Sequence, residues 1–206
     1  MDQRYLEILN EAERIFKKFG IRSVSMDDVC RELGISKKTL YLYVENKEDL
    51  VEKVILKSQE EIRKEFEQII RQAENAIDQL LQVSLLVSRK FSDVNLAFSH
   101  DLSKYFPHLC KNEQSNRRQH IFEHIQRNMQ LGIKQGYFRT DLQVDMVARL
   151  YVQKIENVMN SEHLLSEEFS SADFFKVMFE NHIHGIANEK GISYFEEKIK
   201  SLNIKI

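Results

Sequence analysis

The chain of 206 residues is 42% hydrophobic and 30% charged, enough apolar material for a buried core, yet it holds only 6 Gly and 1 Pro. A β-sandwich needs many turns and a phosphate-binding α/β fold needs glycine loops, so this scarcity argues for an all-α protein. The formal net charge of −2 excludes a general polyanion-binding coat, and any anionic partner must be met by a few placed cations.

No apolar run approaches the roughly 18 residues of a membrane span, and the first segment, MDQRYLEILNEAERIF, carries acids where a signal peptide would be uninterrupted and apolar. The expectation is a cytoplasmic chain with no membrane partner. Cys30 and Cys110 lie in different segments without CxxC spacing and read as reduced, buried thiols.

Leu6, Leu9, Ala12, Ile15, Phe16 and Phe19 recur at three- and four-residue spacings and predict a first amphipathic helix that ends at Gly20. Ser25 then serves as an N-cap, Asp27 and Asp28 favour the helix dipole in the first turn, and Met26, Val29, Cys30 and Leu33 form an inward stripe ending at Gly34. Ser36 caps a third short helix from Lys37 to Tyr43, with Leu40 and Val44 facing the core. Two short helices joined by a glycine turn form a helix-turn-helix. Asn46 caps a long helix reaching about Ala73. Beyond it, 77–91 is apolar on more than one side, as in a helix buried within a bundle. Pro107 breaks the pattern, 119–135 is helical up to Gly132 and Gly136, and further helices follow over 144–160, 173–187 and, with a weaker signal, 193–202.

The stretch Ser25 to Leu50 carries the functional signal. Lys37, Lys38 and Thr39 open the helix that a helix-turn-helix points into the major groove. Tyr41 and Tyr43 follow on the same helix, and Lys47, in the first turn of the next, can hold a phosphate together with exposed backbone N–H groups. The candidate DNA-binding set is Ser25, Ser36, Lys37, Lys38, Thr39, Tyr41, Tyr43 and Lys47, with Ser25, Tyr41 and Lys47 on phosphate and Lys37, Lys38, Thr39 and Tyr43 in the groove. Residues 1–50 hold nine Lys+Arg and ten Asp+Glu, so affinity depends on placement and non-specific binding should be weak.

In order along the chain, Phe19-Gly20, Ser25, Leu33-Gly34-Ile35, Ser36 to Thr39, Tyr41, Tyr43 and Asn46 to Leu50 resemble the DNA-binding domain of the TetR family of bacterial transcriptional regulators. Val44 stands where much of the family has Phe, a change of core packing. The segment GIKQGYFRTDLQVDMVARLYV resembles the family more weakly. The resemblance implies an N-terminal three-helix domain over 1–47, joined by a long helix to a ligand-binding and dimerisation bundle over 48–206, about nine or ten helices in all. It further implies a homodimer on double-stranded operator DNA and a repressor released by a small-molecule inducer.

Composition suits an apolar or aromatic inducer, for which Phe91, Phe98, Phe122, Met129 and Tyr151 are candidate pocket walls. Tyr151, Ile155 and Val158 on one helix and Phe175, Met178, Phe179 and His182 on the last strong one are candidates for the dimer interface. His120 and His124 share a helix face, but no carboxylate or cysteine completes a metal set, and no metal or other cofactor is expected. Absence of GxSxG, GxxxxGK[ST], GxGxxG and HExxH argues against an enzyme. The rival reading is a helical adaptor protein that does not bind DNA.

Overall fold

The computed structural model describes residues 2–92, 96–160 and 171–202, except the side chains of 91–92, 96, 158–160, 171–175 and 202. These residues form ten helices: α1 Gln3–Phe19, α2 Met26–Leu33, α3 Lys37–Leu40, α4 Lys47–Gln72, α5 Ala76–Ser92, α6 Leu96–Tyr105, α7 Pro107–Lys134, α8 Val144–Asn160, α9 Ser171–Ile186 and α10 Glu189–Leu202. Among the described residues the only extended pairing is an isolated bridge between Phe138 and Ala187, so the all-α expectation holds. No described helix is long and apolar enough to cross a membrane.

The chain divides into two compact units, Met1–Glu65 with Val94–Ser115, and Phe66–Asp93 with Asn116–Ile206. The boundary expected after residue 47 is therefore too early and omits a segment. Leu50, Val51 and Val54 of α4, Leu102 of α6 and Leu109 of α7 are all buried in one core with the N-terminal helices. The stretch where only a break at Pro107 was expected is helical: Pro107 opens α7, a position where its missing N–H would have had no intrahelical partner.

In the first unit, α1 buries Ile8, Leu9, Ala12, Ile15 and Phe16, the stripe its spacing dictates. Gly20 ends α1 at φ 81°, a conformation that favours glycine, and a Cβ there would stand 2.8 Å from Asp101 Oδ2. Gly34, at φ 63°, ends α2 in the left-handed region with its N–H returning to Arg31 and Cys30 carbonyls.

In the second unit, α9 packs on α5 and α8, and α10 packs on α5. Ile77, Met129, Phe138, Ala148, Phe179, Ile183 and Phe195 centre its core. Gly132 lies inside α7 and marks no turn; a Cβ there would meet the Phe138 ring at 2.1 Å, so it is the seat of that ring. The turn belongs to Gly136 alone, at φ 73°.

Four of the expected interface residues face inward. Tyr151, Ile155, Phe179 and His182 are at most 8% exposed within a single chain, because the apolar stripes of α8 and α9 fill this unit's own core. Met178 is half-buried, and the side chains of Val158 and Phe175 lie outside the described residues. Among the described side chains of these helices, the exposed large apolar groups are Met146, Leu150 and Val177.

Candidate nucleic-acid interface

The helix-turn-helix is built from two local caps. Ser25 Oγ accepts from the Asp28 N–H at 3.2 Å while Asp28 Oδ2 accepts from the Ser25 N–H at 2.9 Å, a reciprocal capping box at the start of α2. The Ser25 hydroxyl also donates to Asp28 Oδ2 at 2.6 Å, and these bonds hold the Asp28 carboxyl below its ordinary pKa. Ser36 repeats the device at α3, with its Oγ accepting from the Thr39 N–H at 3.1 Å and lying 2.9 Å from Thr39 Oγ1. Leu40 and Val44 are buried beneath, so the smaller Val44 still closes the core.

All eight candidate residues fall within the first unit, but in different states of engagement. Ser25, Ser36 and Thr39 are tied up in caps. Lys37 Nζ lies 2.7 Å from Asp27 Oδ1, and the hydrogen bond and charge of that carboxylate raise the lysine's pKa. The Tyr43 hydroxyl donates to Asp2 Oδ2 at 2.9 Å, which raises the phenol's pKa, and its ring stacks on Tyr5. Lys47 Nζ donates to the Arg22 carbonyl at 3.2 Å, and its partial burial lowers its pKa. Among the described residues no hydrogen bond or ion pair is found for the side chains of Lys38 and Tyr41, both exposed. Asn46 caps α4 by accepting from the Asp49 N–H at 3.0 Å.

Sequence reasoning missed residues that share this surface unit. Leu42, beside Tyr41, is 75% exposed, an apolar group available to a thymine methyl. Arg22, in the α1–α2 turn, donates its backbone N–H to Asp101 Oδ2 at 2.9 Å and its guanidinium to the Tyr105 hydroxyl at 2.6 Å. Asp27 was read only as a helix-start acid and Asp2 was given no role, and only the folded backbone reveals which groups they hold. The sequence signal for Asp27 was its place in the first turn of α2, beside the Asp28 that completes the capping box.

The expected ligand pocket does not assemble as one set. Phe98 packs on the first unit's core, whereas Phe122, Met129 and Tyr151 belong to the second's, where Met129 and Tyr151 are closely packed. The Phe91 side chain lies outside the described residues. A cleft of about 190 Å³ in the second unit is lined instead by Gln72, Asp78, Leu81, Gln82, Leu85 and others, none of them a candidate. His124 stacks on Phe66, with ring centroids 5.7 Å apart, and burial lowers its pKa. No group of three or more metal-ligating side chains occurs among the described residues. Both cysteines are free thiols, Cys30 buried and Cys110 half-buried.

Residues 8–54 match the family model described as bacterial regulatory proteins, tetR family. Over 202 residues, covering 92% of this chain and 97% of the other, the chain is 25% identical to the uncharacterized HTH-type transcriptional regulator YvaF of Bacillus subtilis. It is 40% identical over 63 residues to the HTH-type transcriptional regulator UidR of Escherichia coli, a match covering 31% of this chain and 32% of the other. The fold is similar to that of a transcriptional regulator from Cytophaga hutchinsonii, with a TM-score of 0.74 at 23% identity over 91% of this chain and all of that one. Two capped helices meeting at a left-handed glycine, within a segment matching a DNA-binding family model, are thus explained together: residues 8–54 form a helix-turn-helix of the tetR type, and the chain is a DNA-binding transcriptional regulator similar to those of the tetR family.

Proposed function

We propose that the protein is a cytoplasmic repressor, without enzymatic activity, that binds a two-half-site operator as a homodimer and leaves it when an apolar or aromatic small molecule binds the second unit. The observation that carries the DNA-facing assignment is α3, a helix fixed by the Ser36 cap, where Lys37 and Lys38 at its start and Tyr41 just past its end all stand exposed. Cations at that helix start meet phosphates and base edges once α3 enters the groove, and Ser25, Thr39, Tyr43 and Lys47 reach DNA by exchanging their internal partners for it.

Dimerisation is assigned to the outward face of α8 and α9. Met146, Leu150 and Val177 are each more than half exposed, and apolar groups so exposed on adjacent packed helices favour a second copy. Ligand action is a population shift, in which the bound form favours a separation of the two reading heads that no longer spans the half-sites.

Gel shift with DNA from upstream of the protein's own gene tests the reading. The Lys37→Ala/Lys38→Ala variant should remain folded and lose the shifted band. Binding that persists in a variant with Lys37, Lys38, Tyr41 and Lys47 all changed to alanine would transfer the interface elsewhere. Met146→Glu/Leu150→Glu should sediment as a monomer with weakened operator binding.

A further inference from the structure

The first fifty residues contain nine cations, and five of them, Arg4, Arg14, Lys17, Arg31 and Lys37, sit in ion pairs within the chain. Four of the five pair locally with an acid three or four residues away, as helix geometry makes easy. Lys37 differs. Its partner Asp27 is ten residues earlier, on the other helix of the reading head, so the 2.7 Å contact crosses the glycine turn. Asp27 has no part in capping α2, because Asp28 completes the capping box. Its carboxylate is 55% exposed beside a lysine that is 62% exposed, on the helix assigned to the groove.

A carboxylate there acts twice. It competes with phosphate for the ammonium, and it repels phosphate itself. Binding through phosphates alone draws on cations, and each one neutralised internally is withheld from that sequence-independent attraction. A guanine edge offers N7 and O6 together, two acceptors fixed side by side in the groove, and so can hold the lysine by a geometry that a lone phosphate oxygen does not supply.

We propose that Asp27 is a specificity-determining residue of the reading head: by holding Lys37 it suppresses phosphate-only binding, and it releases the lysine where base edges replace the carboxylate. The inference rests on the reading that Lys37 faces DNA. It also accounts for a DNA-binding unit whose first fifty residues carry one more acid than base.

The test is fluorescence anisotropy with a random-sequence duplex at low salt, on the full-length protein, its Asp27→Asn and Lys37→Ala variants and the double variant, each checked for native helicity. Asp27→Asn should tighten binding by about three- to tenfold, the scale of one released exposed ion pair plus one removed repulsion. The salt slope should steepen by roughly one per subunit as a further phosphate contact forms. In the Lys37→Ala background only the smaller part due to the removed repulsion should remain. No gain from Asp27→Asn while Lys37→Ala weakens binding overturns the inference alone. An equal gain without Lys37 overturns it as well, since it reduces the effect to net charge. Lys37→Ala binding as well as the unaltered protein overturns the underlying assignment of α3.

Discussion

The two compact units treat polar groups in opposite ways. Every buried polar or charged side chain among the described residues, namely Asn75, Asp78, Ser84, Asn128, Glu156 and His182, lies in the second unit. The first unit's buried set is apolar throughout, and its polar side chains work at the surface, mostly in caps and pairs three or four residues apart. The second unit makes long-range buried contacts: Tyr194 donates to Asp78 Oδ2 at 2.8 Å, Asn128 Nδ2 donates to the Ala76 carbonyl at 2.9 Å, and Arg118 reaches Glu156 at 2.7 Å. An apolar core resists changes of solution conditions through non-directional burial, whereas buried polar groups make stability depend on each partner and on protonation. A reading head benefits from the first design. A unit that responds to its surroundings can use the second.

Core truncation gives the largest effect. Phe16 is fully buried in the first unit, and Phe16→Ala should cost about 3–5 kcal/mol in urea unfolding, through lost transfer energy and the cavity left behind. A cost below about 1 kcal/mol would mean that the apolar core is not what holds the reading head.

Next is protonation of His182, which is 8% exposed and stacked on Tyr151 with ring centroids 3.8 Å apart. Its Nε2 is buried without a partner among the described residues, and burial, with a lesser contribution from Lys154, pushes its pKa down to about 4 from an ordinary 6.5. The unfolded chain therefore takes up the proton first as pH falls. Stability from this group is complete above about pH 6.5 and is lost between there and about pH 4, by at most about 3 kcal/mol. In the first unit the carboxylates of Glu13 and Asp49 are held below their ordinary values, burial being outweighed by lysine partners, so their contributions fade only at lower pH. Unfolding midpoints measured from pH 7.5 to 5 should fall for the unaltered protein and flatten in His182→Phe. A flat profile in both would remove the contrast between the units.

A smaller effect comes from Asp78, whose carboxylate is 7% exposed at the side chain and receives Tyr194, Asn75 and Lys198. Asp78→Ala strands these donors and should cost about 2 kcal/mol in thermal unfolding, while Asp78→Asn, which keeps an acceptor, should recover part of it.

This contrast also explains what could be read in the sequence. Ser25, Ser36, Gly20 and Gly34 announce their roles within three or four neighbouring residues, so the first three helices and their turns were legible. The joining of Leu102 and Leu109 to that core was not, since their partners lie tens of residues away. Nor could periodicity choose the inward face of α8, which carries Met146 and Leu150 outward and Tyr151 and Ile155 inward. At the proposed DNA-facing surface the sequence supplies candidate residues but not what they hold. The engagements of Lys37 with Asp27, Tyr43 with Asp2 and Lys47 with the Arg22 carbonyl required the backbone to return on itself.

The smallest predicted effects set two serines against each other. Ser36 is exposed and Ser84 buried, so burial alone would make Ser84 the costlier one to lose. Hydrogen-bond accounting reverses the order. Ser36 satisfies the Thr39 N–H, an orphan donor of a helix only four residues long, and Ser36→Ala should cost about 1 kcal/mol, with Ser36→Thr close to neutral. Ser84 donates to the Leu81 carbonyl at 2.7 Å within α5, and that carbonyl also stands in the helix's own hydrogen-bond ladder. Removing the hydroxyl strands no group, so Ser84→Ala should change stability by less than about 0.5 kcal/mol. Differential scanning calorimetry of both variants decides it: a larger loss from Ser84→Ala would show that local caps are not what the reading head depends on for its polar balance.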